Sequence, residues 1–158
     1  MTDERKLNDA KQVYEELCKA LDSREWTYKR EDEDLTVQFG IRGDDEPMYF
    51  IIAVDADRQL VRLSSPFPFK MSEANRVAGA LITTIASSKL ANGCFDYQAS
   101  TGSIAFRMTT FFHESRIGQE HFLYLIDVAC HTVDQFNDRF LAVDRGEMGI
   151  TDFINEFA

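Results

Sequence analysis

Three histidines, His113, His121 and His131, are the first residues to test as metal ligands or general bases. None stands one helical turn from another, and no His-Glu-x-x-His pattern occurs, so the spacing that places two imidazoles on one metal is missing. His121 and His131 lie ten residues apart, which on a helix is about 80° of rotation at 3.6 residues per turn, so they do not converge. Cys130 and His131 set a thiol beside a base in sequence, but helix neighbours point in different directions and are poorly placed for proton transfer. Cys130 borders an apolar stripe and reads as a buried, inert thiol. Glu120, Asp127 and Asp134 recur every seven residues, near one helix face. Carboxylates can do acid–base work or hold a cation, but nothing completes a site here, so a solvated face is the reading taken. An enzymatic or small-molecule alternative rests on the third helix, with His121, His131 and the region of Asp127 as its candidates.

The loop acids Asp44, Asp45 and Glu46 lack the alternating ligands, central glycine and terminal glutamate of a calcium loop. Arg42-Gly43-Asp44 matches an adhesion tripeptide by chance. The glycines are scattered at turns and helix ends, with no phosphate-cradling pattern, and no Gly-x-Ser-x-Gly occurs. No catalytic residue, cofactor or metal ligand is therefore nominated, and the chain is expected not to be an enzyme.

Seventeen Lys and Arg against 27 Asp and Glu leave a formal charge of −10, which repels phosphate backbones and anionic lipid. Lys29 and Arg30, the nearest thing to a basic run, are followed at once by Glu31, Asp32, Glu33 and Asp34. Neither a nucleic acid nor a membrane is expected as partner. Cys18, Cys94 and Cys130 are odd in number and widely spaced, which argues against disulfides or zinc and suits a reducing compartment. The start of the chain has no apolar signal core, and no run approaches the roughly 18 apolar residues of a membrane span. A cytoplasmic location is the expectation. At 158 residues the chain fits one domain, 1–158, with enough apolar content for a substantial core.

The elements follow from periodicity. Ala10, Val13, Tyr14, Leu17, Cys18 and Leu21 share one face of a first helix over about 8–21, with Asn8 as its cap. Trp26 to Arg30 alternates as a short strand, and Leu35, Val37, Phe39 and Ile41 line one face of the next. Met48 to Val54 is apolar on both parities, which predicts a central strand covered on both faces. Leu60, Val61 and Leu63 form another strand. Ser64 to Phe69, with Pro66 and Pro68, reads as a rigid connector. A second helix runs from Ser72 to about Leu90, its buried stripe formed by Ala74, Val77, Ala78, Leu81, Ile82, Ile85 and Ala86. Asn92-Gly93 ends it. Cys94 to Gln98 and Ser103 to Thr109 form a hairpin across Gly102. A third helix spans about Gln119 to Phe140, its stripe carried by Phe122, Leu125, Ile126, Ala129, Val133, Phe136 and Phe140. A short helical tail covers about 151–157. The fold class is α+β: an antiparallel sheet of five to six strands packed with three main helices, in the order α-β-β-β(-β)-α-β-β-α.

Two features read as interaction surfaces. Beside the stripe of the second helix lies a face of small side chains that includes Ala80, Thr83, Thr84 and Ser87. It packs on the chain's own sheet, is simply exposed, or meets a second copy. Phe67 and Phe69 form either an exposed knob for a partner or a plug at the end of the core, the plug being favoured. The tail residues Phe153, Ile154 and Phe157 can dock on their own domain, on a twin subunit or on a partner.

The stretch Leu90-Ala91-Asn92-Gly93-Cys94-Phe95-Asp96-Tyr97 and then Thr101-Gly102-Ser103-Ile104-Ala105-Phe106-Arg107 resembles the YbjN-type family pattern. That pattern has a glycine ending the second helix, a strand with Phe and an acid, a glycine turn, and a strand ending in aromatic-Arg. Val133-Asp134-Gln135-Phe136 and Arg145-Gly146 resemble the family's last long helix. The resemblance extends from Trp26 to about Asp152. It implies a bacterial origin, a fold like that of the type III secretion chaperones, which are small, acidic, dimeric binders of protein segments, and a regulatory role. It brings no catalytic residue. The expected function is a non-catalytic, homodimeric protein-binding module that holds a protein segment through apolar grooves and sheet edges.

Overall fold

The computed structural model describes residues 3–157; Met1, Thr2 and Ala158, which the expected domain included, lie outside the described residues. Helix α1 spans Glu4–Ser23 and starts earlier than its apolar pattern, because the Asp3 side chain accepts a hydrogen bond from the Arg5 N–H at 3.1 Å. Asp3, not Asn8, is the cap. The whole expected stripe from Ala10 to Leu21 is buried.

Six strands form one antiparallel sheet: β1 (Lys29–Glu31), β2 (Thr36–Arg42), β3 (Pro47–Asp55), β4 (Leu60–Lys70), β5 (Cys94–Gln98) and β6 (Ser103–Phe111). Their order across the sheet is β1-β2-β3-β4-β6-β5. The α+β expectation stands, with six strands. Trp26 is not in a strand: Glu25 takes a φ of 56°, the Trp26 N–H closes back on Leu21 O, and the indole packs on Phe39. Leu35, expected in β2, occupies the preceding turn at φ 49° with its side chain buried.

Strand β4 differs most from expectation. The proline stretch is not a connector but its second half, because the φ that proline fixes is compatible with extended backbone. Pro66 lies opposite Ala105 of β6, the register then shifts, and Lys70 meets Ser103. Two extra residues on β4 are absorbed there as a bulge. A 3-10 turn (Glu73–Asn75) leads into helix α2 (Arg76–Ser88), which carries the chain from β4 to the outer strand β5. Helix α3 spans Gln119–Asp144, and the whole expected stripe from Phe122 to Phe140 is buried.

The helices cover one face of the sheet. Val37, Phe39, Phe50, Ile52, Leu63, Phe106 and Met108 point into the core beneath them. Phe95 sits at the centre of a ring cluster with Phe67, Phe106, Phe136 and Phe140. The tail forms helix α4 (Ile150–Phe157) and docks on its own chain, with Phe153 stacked on Phe140 and Phe157 against Phe136.

Two expected orientations are overturned. Strand β3 is central, but it is covered on one face only: Tyr49 is exposed, and Ile51 and Ala53 are half-buried. Helix α2 is rotated by roughly 100° from the expected stripe, which leaves Ile82 and Ala86 inside as expected. Gly79, Ile82, Thr83 and Ala86 are inside, while Val77 and Leu81 are 85% and 45% exposed. Close approach explains it. A Cβ on Gly79 would lie 2.5 Å from Tyr97 Oη and 2.7 Å from Met71 Cγ, so the helix can rest on β5 only with glycine on that side. The Tyr97 hydroxyl then donates to Arg76 O at 2.7 Å, which fixes the helix start.

Candidate interaction surfaces

The outer face of α2 is built from Val77, Leu81, Thr84 and Ser88, flanked by the half-buried Ala80 and Ile85. Between Arg76 and Lys89 the helix carries no charge. Its hydroxyls are bonded into its own turns: Thr84 Oγ1 donates to Ala80 O at 2.8 Å and Ser88 Oγ to Ile85 O at 2.7 Å. Back-bonding of this kind uses up the donor locally, so the face offers carbon to its surroundings and few free polar groups.

The sequence-nominated contacts divide accordingly. Ala80 and Thr84 lie on this surface. Thr83 is buried and donates to Gly79 O at 2.8 Å. Ser87 turns toward β5, where its Oγ accepts the Phe95 N–H at 2.9 Å. Phe67 and Phe69 pack on each other and against the core, as the plug reading has it. Val77 and Leu81, expected in the buried stripe, are the strongest surface features instead. The signal that could have found them is Gly79, whose place on the small-residue side marks the face of closest approach.

The second surface is the uncovered face of the sheet. Its middle is made of Tyr49, Ile51, Ala53, Ser64, Pro66 and Ala105, all half-buried or exposed. The sheet edges are poor templates for strand addition. Strand β1 is three charged residues long, with Lys29 paired to Glu31 at 2.7 Å and Arg30 to Glu15 at 2.9 Å. On β5 the Phe95 N–H is already taken by Ser87. Short, charged or internally satisfied edges resist pairing with another chain.

The residues named for chemistry have separate partners. His121 Nε2 lies 3.1 Å from Thr110 Oγ1, and His113 Nδ1 lies 2.6 Å from Gln59 Oε1. Asp127 forms a two-pronged pair with Arg24 at 2.6 and 2.7 Å, which holds its carboxyl below the usual range. His121, His131 and Asp127 are all exposed. Asp134 Oδ1 accepts the Asp44 N–H at 3.0 Å and so ties the acidic loop to α3. Burial pushes the Cys130 thiol up to about 12. Among the described residues no group of three or more His, Cys, Asp or Glu side chains could hold a metal ion. An open groove of about 1100 Å³ between α1 and residues 112–118 is lined by both signs of charge, with Lys6, Lys11 and Arg116 facing Asp9, Glu16 and Glu114.

This architecture has a solved counterpart. The chain shares the fold of YbjN. The crystal structure of YbjN, described as "a putative transcription regulator from E. coli", superposes with a TM-score of 0.57 over 80% of this chain and 92% of that one, at 10% identity. At that identity the likeness is one of fold. No family model matches the sequence, and no curated protein matches it. No described helix is long and apolar enough to cross a membrane.

Proposed function

We propose that the chain is a YbjN-type, non-catalytic protein-binding module of regulatory or chaperone-like kind, which acts in the cytoplasm as a homodimer joined through α2. The observation that carries this reading is the uncharged outer face of α2, with Val77 85% exposed, on a chain whose net charge is −10. Two copies of so acidic a chain repel one another wherever charged surfaces meet. The α2 face avoids that repulsion, and a two-fold axis lets it serve as its own complement. Helix α2 has 13 residues, which makes it about 20 Å long at about 1.5 Å per residue, with small side chains that admit close helix packing. The description of YbjN as "a putative transcription regulator" supports a regulatory rather than catalytic role.

Sedimentation equilibrium tests the reading. The wild-type chain is expected as a dimer at micromolar concentration, and Leu81→Glu together with Val77→Glu is expected to give a folded monomer. A wild-type chain that stays monomeric at 100-fold higher concentration, or a charged double variant that still dimerises, overturns it.

A further inference from the structure

The open face of the sheet differs in charge from the rest of the molecule. Each carboxylate on it has a local cation: Glu31 pairs with Lys29, Asp55 with Arg58, and Asp96 with Arg107. Arg42 and Arg62 point to the same face and have neither an ionic nor a hydrogen-bond partner among the described residues. A chain with ten more acids than bases therefore presents uncompensated positive charge here.

An apolar slot lies beside Arg42. The β3–β4 ladder ends at Ile51 opposite Ser64. Continued in register, it would set Tyr49 against Pro66 and Pro47 against Pro68, and proline has no N–H to donate. The strands part instead, and a slot of about 510 Å³ opens, lined chiefly by Ile41, Met48, Tyr49, Pro66, Phe67 and Pro68. Tyr49 is fixed as its wall, since its hydroxyl donates to Gln38 Oε1 at 2.6 Å. Arg62 lies across from Ala53, four residues along β3 from Tyr49, or about 13 Å at about 3.3 Å per residue.

We propose that this face docks an acidic polypeptide segment, with an aromatic or aliphatic side chain seated in the slot and carboxylates on Arg42 and Arg62. The inference rests on the reading of the chain as a protein-binding module but uses a surface other than α2. Charge complementarity chooses the occupant. A short acidic segment meets only this face, whereas a long polyphosphate strand also meets the acidic surfaces around it within the Debye length of about 8 Å. The slot's largely apolar lining suits a hydrocarbon or ring anchor more than the polar edges of a base.

The test is a random ten-residue peptide display selection on the full chain, followed by fluorescence anisotropy with the enriched peptides. The expected sequences are acidic, with one large apolar residue about four positions from a carboxylate. Arg42→Glu with Arg62→Glu should weaken their binding about tenfold or more while leaving the melting temperature and the dimer unchanged. Enrichment of basic or neutral peptides, no enrichment, or affinity indifferent to the arginine variant overturns the proposal. So does a 20-nucleotide thymidine strand that binds as tightly as the peptides and is lost in the same variant. Parallel measurements separate the two readings: a dimer that selects no acidic peptide ends this inference alone, and a monomer that selects them ends the α2 dimer alone.

Discussion

Gly79→Ala decides how α2 is rotated, because the two possible rotations give effects of opposite sign. With Gly79 facing solvent, alanine would stabilise the helix by about 1 kcal/mol through propensity. In the structure the new Cβ would sit 2.5 Å from Tyr97 Oη and 2.7 Å from both Tyr97 Cζ and Met71 Cγ. Met71 is buried, and the Tyr97 ring is pinned by its bond to Arg76 O, so neither can move freely. Overpacking of this kind costs about 1–3 kcal/mol. The propensity gain offsets part of it and leaves a net loss of about 1 kcal/mol, or about 2–4 °C in Tm for a chain of this size. Urea denaturation followed by circular dichroism, in the Val77→Glu, Leu81→Glu background so that association does not contribute, measures it. Tyr97→Leu in the same background removes the obstructing hydroxyl and should turn the Gly79→Ala penalty toward a gain. Stabilisation by Gly79→Ala with Tyr97 intact would refute the assigned rotation, and with it the exposed Val77–Leu81 face.

Phe153→Ala removes a fully buried ring stacked on Phe140 and should cost about 3–5 kcal/mol by urea denaturation; a cost below about 1 kcal/mol would mean that α4 does not dock on its own chain. Asp144 is held below the usual carboxylate range: burial works to raise it, but bonds from Ser72 N–H, Ser72 Oγ and Asn75 Nδ2 prevail. Its contribution is present above the unfolded value of about 4 and is lost as pH falls through the lower folded value, so Asp144→Asn should flatten the acid limb of a Tm-against-pH curve. Cys18, which is fully buried, should stay unmodified by a disulfide reagent at pH 8 until the chain unfolds, while the half-buried Cys94 reacts in the native state; equal native rates would contradict the burial of Cys18.

The sequence made the interior of α1 and α3 legible, because each has one broad apolar stripe and an opposite face of charge. Residues such as Val13, Leu17, Phe122 and Phe136 allow only one rotation. Helix α2 lacks that contrast. Its residues are apolar or small all round, so hydrophobicity allowed either rotation, and the constraint that decided it, the room between Gly79 and Tyr97, joins residues 18 apart. Strand β3 failed for a related reason. Apolar residues on both parities signal two covered faces in a closed sheet, but here Ile51 and Ala53 look out on an open one. The proline stretch was misplaced because its effect on β3 and β6 depends on register, which a single strand's sequence does not contain. The unpaired arginines of the sheet face, Arg42 and Arg62, were invisible for the same reason: they are 20 residues apart and reach one face only through β2–β3–β4 pairing.

The blunt ends of the sheet have a consequence for solution behaviour. A sheet with one bare face ordinarily risks growing sideways, strand upon strand, into filaments. Here growth is stopped at both margins, by the three charged residues of β1 and by Ser87 holding the Phe95 amide of β5. The bare face can therefore stay uncovered in concentrated solution without seeding fibres.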